Sequence, residues 1–217
     1  MKPERIERVN WESAVEAVLE LTRQRAKGTT DRPVIAVTGR VSAGKSLLAR
    51  RLAEAAAGLA WVAGEGLVHT TDDYLPDYEG LPIEDVDRPE HSHLNELAGH
   101  LRRLRAGEAI EAPVWSFHTH GRTGTRPLGP AGLIVLEGIH ALNPMFREIV
   151  HVSVFVEAAA TVRWDRRAAI EEAGERGWGV EKARDHFDRV AEPTFAEFEA
   201  QYLASADVVV LNDGGPG

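Results

Sequence analysis

Residues 34 to 46 read Val34-Ile-Ala-Val-Thr-Gly-Arg-Val-Ser-Ala-Gly-Lys-Ser46. The first five residues are mostly β-branched and apolar, which is typical of a strand buried on both faces. The next eight, Gly39 to Ser46, match G-x-x-x-x-G-K-[ST] at every fixed position. The following stretch, Ser46 to Ala57, is rich in Leu, Ala and Arg and predicts a helix. A strand, this glycine loop and a helix in succession predict a phosphate-binding loop.

The residue types of the loop explain which ligand it would hold. Its glycines let the backbone wrap around an anion so that successive N–H groups point at a phosphate, and the helix that follows adds its positive end. Lys45 would bring charge to the β and γ oxygens of ATP, and the Ser46 hydroxyl would ligate Mg²⁺. We therefore expect ATP and Mg²⁺ as cofactors, held by Gly39, Arg40, Val41, Ser42, Ala43, Gly44, Lys45, Ser46 and Leu47.

Outside the loop, further apolar runs alternate with helical patterns, which predicts an α/β fold with a parallel sheet covered on both faces. The strands are expected at Leu67 to Thr71, Leu133 to Leu136, Val150 to Val156 and Val208 to Leu211. The helices are expected at Leu94 to Arg105, Thr161 to Glu172, Val180 to Val190 and Thr194 to Leu203. Together with Val34 to Thr38, these runs predict a three-layer P-loop NTPase fold with a five-stranded parallel sheet.

The domain organisation follows from the same patterns. Trp11 to Thr22 has helical apolar spacing and predicts a helix packed on the main domain, so residues 1–32 are expected to form a helical extension and linker. Residues 33–217 are expected to form one domain around the phosphate-binding loop. Self-association through the N-terminal helix into a homo-oligomer stays open.

Composition excludes several classes of protein. The 217 residues carry a formal net charge of −9, which disfavours nucleic acid as a partner. The chain has no cysteine, which excludes disulfides and thiolate metal sites and favours a reducing compartment, with the cytoplasm as the expected location. No apolar segment is long enough to predict a membrane span or a signal peptide. A small-molecule substrate is therefore the expected partner.

Two aspartates follow the second predicted strand, in Thr70-Thr-Asp-Asp-Tyr74. Open α/β sheets bind ligands at the carboxyl ends of their strands, and consecutive side chains of an extended chain point to opposite sides, so we expect one of the two to face the site. Phosphoryl transfer needs a carboxylate that accepts a hydrogen bond from the incoming hydroxyl. The chain lacks the Asn-Lys-x-Asp guanine reader of GTPases, so a small-molecule kinase is the favoured class.

From about Val34 to Leu211, the chain resembles the uridine kinase and phosphoribulokinase family. The resemblance implies that Asp72, within the family's D-x-[FY]-[YF] segment, is the catalytic base and that Tyr74 lies beside the acceptor. The family's D-x-P segment implies that Asp87, in Asp87-Arg-Pro89, contacts ribose hydroxyls. Glu137, at the end of the strand before Gly138, is implied as an Mg²⁺ ligand together with Ser46 and Asp72.

The same resemblance implies that residues 33–217 form a P-loop kinase domain with a small acceptor-binding lobe at about 74–129 and an Arg-rich lid at about 163–180. Arg167 and Arg176 would fold over the γ-phosphate as catalytic groups, and Arg163 would contact substrate. The nucleobase pocket would lie along Trp115 to Arg122, with Trp115, His120 and Arg122 as contacts. His120 and Arg122 are two residues apart, so an extended segment would put both on one face. Trp115 and Ser116 stand where the family has Tyr and Asp. The acceptor therefore stays open between a nucleoside such as uridine or cytidine and another hydroxylated metabolite, such as pantothenate, nicotinamide riboside or a sugar derivative.

Two other interpretations remain open from the residues alone. A nucleotide-binding regulatory module without catalysis would keep the phosphate loop but would not need Asp72 and Glu137. A zinc site built from His91, His93, His118 and His120 would need the two H-x-H pairs to meet.

Overall fold

The computed structural model describes residues 6–214, so the parts of the expected extension and domain that fall on residues 1–5 and 215–217 lie outside it. A parallel sheet runs through the molecule in the order β1-β8-β7-β2-β6-β3, with every neighbouring pair parallel. Its strands are β1 (Glu7–Asn10), β2 (Val34–Thr38), β3 (Gly66–Thr70), β6 (Leu133–Glu137), β7 (Val152–Glu157) and β8 (Val208–Leu211). The predicted α/β class is confirmed.

Alternation along β2 shows how the sheet divides the core into two layers. Val34 and Ala36 belong to one buried cluster, whereas Ile35 and Val37 belong to the other. Successive side chains of a strand point to opposite faces, so a strand that is apolar at every position must be covered on both sides. All five residues of β2 are buried, as the apolar run predicted.

Helices cover the two faces in pairs. On one face, α1 (Ala14–Arg25) and α2 (Lys45–Ala56) contribute apolar side chains to the same cluster as Ile35. On the other face, α3 (Leu94–Arg105) and α6 (Glu192–Ser205) pack with Val34. The remaining helices, α4 (Ala160–Glu172) and α5 (Val180–His186), follow β7, and a π-helical turn at Phe187–Ala191 joins α5 to α6. This is the expected three-layer arrangement.

The expected count of five strands is wrong, because the sheet has six. The additional strand is β1, which pairs with β8 at the sheet edge, so the segment before the first helix adds to the main sheet. Its sequence, Glu-Arg-Val-Asn, is mostly exposed and has no apolar run from which a strand could be predicted. An edge strand needs apolar side chains less than a central one does, because only one of its sides is paired.

A two-stranded antiparallel hairpin, β4 (Ile110–Ser116) and β5 (Gly121–Leu128), lies within the segment expected to form the acceptor lobe. Sequence patterning missed both strands because Pro113 and Pro127 disfavour the ladder and the hairpin exposes much of β5. Its register shifts between Val114 and Trp115. Within residues 6–214, no helix has the length and apolarity that a membrane crossing requires.

Candidate functional site

The glycine loop between β2 and α2 has the conformation that its sequence demands. Gly39 has φ of 147°, and a Cβ at that position would overlap the carbonyl oxygen of Val156. Gly44 also has positive φ, at 103°, and Ser42 adopts a left-handed conformation with φ of 59°. Glycine is therefore required at Gly39 by a close backbone contact, and at Gly44 by a conformation that disfavours other residues. The tight turn leads directly into α2.

Lys45, the first residue of α2, is buried, and its Nζ donates to the Arg40 carbonyl across the loop at 2.9 Å. Burial lowers the pKa of Lys45, and the nearby carboxylates Glu137 and Asp72 oppose that shift. A desolvated ammonium held inside a glycine loop interacts more strongly with an anion than it would in water. The loop therefore has the geometry and charge to bind a polyphosphate.

Next to the loop, Glu137 ends β6 and faces Ser46. The Ser46 Oγ donates to Glu137 Oε2 at 3.1 Å. Burial raises the pKa of Glu137, and the charge of Asp72 raises it further. Two neighbouring carboxylates, together with a hydroxyl, form an oxygen donor set that a divalent cation would stabilise. The three expected Mg²⁺ ligands fit that ion, which commonly binds few protein oxygens and completes its shell with phosphates and water.

Asp72 lies in a one-turn 3₁₀ helix, Thr71–Tyr74, that directly follows β3. The Asp72 backbone N–H donates to Thr70 Oγ1 at 3.2 Å, and its side chain lines the cavity beside the loop. Asp73 points away from the cavity, and its Oδ2 accepts from Arg126 at 2.9 Å. The expectation that only one of the two aspartates faces the site therefore holds geometrically, and that residue is Asp72.

The cavity has a volume of about 440 Å³. It extends from Lys45 and Ser46 past Asp72 to Asp87, a buried carboxylate. Burial raises the pKa of Asp87 to about 6. Its Oδ2 lies 3.4 Å from His186 Nε2, and its backbone carbonyl lies 2.6 Å from His140 Nε2. The cavity thus joins a phosphate loop at one end to a buried carboxylate that can accept hydrogen bonds at the other.

Aromatic rings form one wall of the cavity. His120 stacks on Tyr78 and on Trp178, each at a ring distance of 5.3 Å, and those two rings lie 6.4 Å from each other. Trp178 Nε1 additionally donates to His120 Nε2. Phe117 lines the cavity next to this stack. Sequence patterning identified His120 but missed Tyr78, Phe117, Trp178 and His186, because each is a single aromatic residue in an irregular segment or a lid helix.

Two arginines of the expected lid reach the cavity. Arg167 is buried and pairs with Glu171 at 2.7 Å, and the other oxygen of Glu171 accepts from the backbone of Trp178 at 3.2 Å. Arg176 lies 3.7 Å above the centroid of Phe117, and its Nη2 is 4.0 Å from Asp72 Oδ2. Both guanidinium groups therefore bring positive charge to the cavity.

Arg40 and Arg163 brace the loop from outside the cavity. Both bind the carboxylate of Glu192, Arg40 at 3.0 Å and Arg163 at 2.9 Å. Arg163 also donates to the Val41 carbonyl at 3.4 Å, and Arg40 pairs with Glu199 at 2.8 Å. The substrate contact proposed for Arg163 is absent from this arrangement, because its charge is satisfied by Glu192 and the loop backbone.

Three other expected acceptor contacts lie outside the cavity lining. Tyr74 is fully buried at the end of the turn that carries Asp72. Trp115 is also buried, where its Nε1 donates to the Pro76 carbonyl at 3.1 Å and its ring packs behind Tyr78. Arg122 pairs with Glu96 at 2.7 Å. His120 and Arg122 do not share a face because His120 lies in a turn with φ of 53°, not in an extended strand.

Only some of the other residues expected to bind ATP in the glycine loop line the cavity. Val41, Ser42, Gly44 and Leu47 line the cavity, whereas Gly39, Arg40 and Ala43 shape the loop from behind. Among residues 6–214, no group of three or more His, Asp or Glu side chains could hold a metal ion, so the two H-x-H pairs do not form a zinc site there.

Comparisons with known proteins agree with this geometry. The family model described as "Phosphoribulokinase / Uridine kinase family" matches residues 34–213. A uridine kinase from Shewanella amazonensis is 30% identical over 188 residues, which cover 83% of this chain and 88% of the relative. A uridine kinase from Aliivibrio salmonicida is 29% identical, with coverage of 83% and 86%.

Solved structures share the fold at lower identity. A candidate fructose transport system kinase from Silicibacter sp. TM1040 superposes with a TM-score of 0.71 at 19% identity, over 90% of this chain and 98% of that one. A possible uridine kinase from Bacillus stearothermophilus gives a TM-score of 0.58 at 19% identity, over 92% and 98% of the two chains. At this identity, the two similarities support the fold alone.

Proposed function

Because the chain belongs to the phosphoribulokinase and uridine kinase family and is therefore a P-loop kinase, we propose that it transfers the γ-phosphoryl group of ATP to a hydroxyl of a nucleoside, with uridine or cytidine as the leading acceptor. One observation carries the proposal. A single cavity is lined by Lys45 and Ser46 at one end, Asp87 at the other and Asp72 between them. A donor and an acceptor bound at the two ends would meet beside Asp72.

On the donor side, backbone N–H groups of the loop and the ammonium of Lys45 hold the β- and γ-phosphates. Ser46, Glu137 and Asp72 would hold Mg²⁺, which supplies positive charge that neutralises the phosphate oxygens. Arg167 and Arg176 approach from the lid and add charge where it develops on the transferred group. The brace from Arg40 and Arg163 to Glu192 keeps the loop in place while this charge changes.

On the acceptor side, the Asp72 carboxylate accepts a hydrogen bond from the attacking hydroxyl and takes its proton as the new P–O bond forms. Asp87, at the far end, accepts hydrogen bonds from two neighbouring hydroxyls, which orients the acceptor for in-line attack. Tyr78, Phe117 and Trp178 form an apolar wall for the ring of the acceptor.

One observation favours a second candidate acceptor, a sugar derivative or another hydroxylated metabolite without a nucleobase. His120 packs against both Tyr78 and Trp178, and its Nε2 accepts from Trp178, so this nitrogen has no lone pair free for a base. Trp115 and Ser116 likewise replace the Tyr and Asp of the family pattern. A pocket with fewer polar partners discriminates less between bases.

Release of ADP, measured by a coupled assay with each acceptor in turn, tests the proposal. The panel contains uridine, cytidine, their 2′- and 3′-deoxy analogues, nicotinamide riboside, pantothenate and simple sugars. We expect turnover with uridine or cytidine and a loss of most activity with the deoxy analogues, because Asp87 would be left unpaired. Turnover only with a compound that lacks a base would replace the nucleoside assignment. ATP binding without ADP release on any acceptor would favour a regulatory module.

A further inference from the structure

Three hydrogen-bonded polar side chains, two of them fully buried, lie at the end of the turn that carries Asp72. The hydroxyl of Tyr74 is 2.9 Å from His69 Nε2 and 2.6 Å from His100 Nδ1. His69 comes from β3, Tyr74 ends the catalytic turn and His100 lies on α3, so the chain joins three elements. His69 and Tyr74 are fully buried, and His100 is half-buried.

The hydrogen bonds among His69, Tyr74 and His100 run in one direction. A hydroxyl has one proton, so Tyr74 can donate to only one of the two histidines and must accept from the other. The second ring nitrogen of His69, Nδ1, is buried and has no hydrogen-bond partner among residues 6–214. A buried N–H without an acceptor is rarer in proteins than an unpaired acceptor, so Nδ1 is assigned as the unprotonated nitrogen. His69 Nε2–H therefore donates to Tyr74, and Tyr74 donates to His100 Nδ1.

The charge states of the three groups agree with this direction. Burial lowers the pKa of His69 to about 3 and also lowers the pKa of His100, so both imidazoles are neutral at pH 7. Burial raises the pKa of Tyr74, which keeps its hydroxyl protonated. A neutral His100 can accept the Tyr74 proton, whereas a protonated His100 could not.

These hydrogen bonds fix one end of a turn that other hydrogen bonds hold along its length, including the one from Arg126 to Asp73. At the start of the turn, the Asp72 N–H donates to Thr70 Oγ1 at 3.2 Å. At its end, the Tyr74 carbonyl accepts from the His93 N–H at 2.8 Å. Without the hydroxyl contacts, only van der Waals packing would hold the tip of the Tyr74 ring in place. Because Asp72 lies two residues before Tyr74, a shift of this ring would rotate the turn and move the Asp72 carboxylate.

We propose that His69 and His100 are positioning residues that clamp the Tyr74 hydroxyl and thereby aim Asp72 at the acceptor hydroxyl. The inference rests on the proposed role of Asp72. It gives Tyr74 a different task from the acceptor contact expected from sequence, because Tyr74 acts on the reaction only through the turn.

Tyr74→Phe tests the inference, because it removes the hydroxyl and keeps the ring in the core. With both substrates saturating, we expect kcat to fall roughly ten- to a hundredfold, since small displacements of a reacting group cost rates of this order. The KM for ATP should stay within twofold. The decisive comparison is a double-mutant cycle with Asp72→Asn. If Tyr74 acts through Asp72, Tyr74→Phe lowers kcat in the wild-type background but has almost no effect in the Asp72→Asn background.

His100 offers a second test, which does not depend on how well Tyr74→Phe folds. In His100→Asn, the side-chain oxygen can take the place of Nδ1 and accept from Tyr74, so we expect most of the kcat to be retained. In His100→Leu the acceptor is lost, and we expect kcat to fall as in Tyr74→Phe. Equal kcat values for the Asn and Leu variants would overturn the inference, as would an unchanged kcat in Tyr74→Phe.

Thr22→Val is the control, because the Thr22 hydroxyl is also buried and donates to the Val18 carbonyl at 2.7 Å on α1, outside the cavity lining. It should lower the melting temperature without lowering kcat. An equal loss of kcat in Thr22→Val and Tyr74→Phe, or an undiminished effect of Tyr74→Phe beside Asp72→Asn, would mean that these hydrogen bonds have only a structural role. If the single variant Asp72→Asn keeps the wild-type kcat, both the proposed base and this inference are overturned. If Asp72→Asn loses activity but Tyr74→Phe does not, only this inference is overturned.

Discussion

Gly138 and Thr71 are in contact where two neighbouring strands of the sheet end. A Cβ on Gly138 would overlap the Thr71 hydroxyl and lie 2.8 Å from Thr71 Cβ. Gly138 follows Glu137, and Thr71 precedes Asp72, so this contact lies between the positions of the two carboxylates that line the cavity. The Glu-Gly pattern thus has a steric reason, because the Thr71 side chain leaves room only for a hydrogen at Gly138.

Gly138→Ala is therefore expected to lower kcat by at least roughly tenfold, because the methyl group pushes the Asp72 turn away from Glu137. Gly138 also has φ of 143°, so the substitution strains the backbone by about 1 to 3 kcal/mol. Gly124→Ala is the matched control, since Gly124 has φ of 159° but no atom within 4 Å of the added Cβ. Both variants should lose thermal stability, and only Gly138→Ala should lose kcat. Equal kcat values would show that the contact does not position the carboxylates.

Lys45→Met should abolish turnover while preserving or raising the melting temperature. The substitution removes the charge that holds the phosphates, and a buried lysine with a lowered pKa does not stabilise the fold. Lys27→Met, at an exposed position beyond α1, controls for the loss of one positive charge. Calorimetry should show weaker ATP binding for Lys45→Met alone. Turnover within a few-fold of wild type would refute the assignment of the phosphate loop.

Asp87 should give the acceptor kcat/KM a dependence on pH. Burial raises the pKa of Asp87 to about 6. The ionised carboxylate, which accepts hydrogen bonds from the acceptor hydroxyls, is therefore present above that pH and lost below it. With His140, Asp72, Arg167 and Arg176 around it, we expect kcat/KM to rise through pH 6 and then level off. Asp87→Asn should remove this rise and lower kcat/KM at least roughly tenfold, with ATP affinity nearly unchanged. A rise that persists in Asp87→Asn would assign it to another group.

The same shift predicts the sign of a stability change. A carboxyl whose pKa is higher in the folded protein than its ordinary value of 3.8 adds stability below pH 3.8 and loses it as pH rises through about 6. At pH 7.5, Asp87→Asn should therefore be more stable than wild type, by about 1 to 3 kcal/mol. Chemical denaturation at pH 5 and pH 7.5 measures the difference, which should shrink at the lower pH.

Trp178 is expected to close the acceptor end of the cavity. It stacks on His120 between Gly177 and Gly179, whose φ angles of 76° and 75° permit a tight turn of the lid. Trp178→Ala should raise the acceptor KM at least roughly tenfold and leave the Kd for ATP unchanged. Trp164→Ala is the control, since Trp164 packs on Phe187 outside the cavity lining. A similar rise of KM in both variants would show that general loosening of the lid is responsible.

Local patterns predicted the central parts of the fold. β2, β8 and α3 have the bounds that the sequence indicated, because each is a run with one consistent period. The phosphate loop was equally clear, since steric and electrostatic demands restrict its residues. β1 and the β4–β5 hairpin were missed because their polar residues, prolines and glycines carry no period. Their hydrogen bonds depend on partners far along the chain.

The acceptor side was predicted less well because its residues depend on tertiary pairing. Arg163 has the spacing of a lid arginine, but its guanidinium pairs with Glu192, which lies 29 residues later in the sequence. Tyr74 was assigned to the acceptor, whereas His69 and His100 hold its hydroxyl in the core. The sequence favours an extended segment at His120, whereas the structure has a turn there with positive φ. No short pattern in the sequence encodes these partners.

The pairing of β1 with β8 joins residues that are roughly 200 positions apart, as in Glu7 with Val208. Closing a loop of that length costs more conformational entropy than any other pairing of the sheet, and the exposed side chains of β1 return little burial. This edge should therefore form late in folding and exchange its amide hydrogens sooner than β2, which is buried between β6 and β7. Local opening at β1 would leave the phosphate loop intact, because the loop follows β2 near the centre of the sheet.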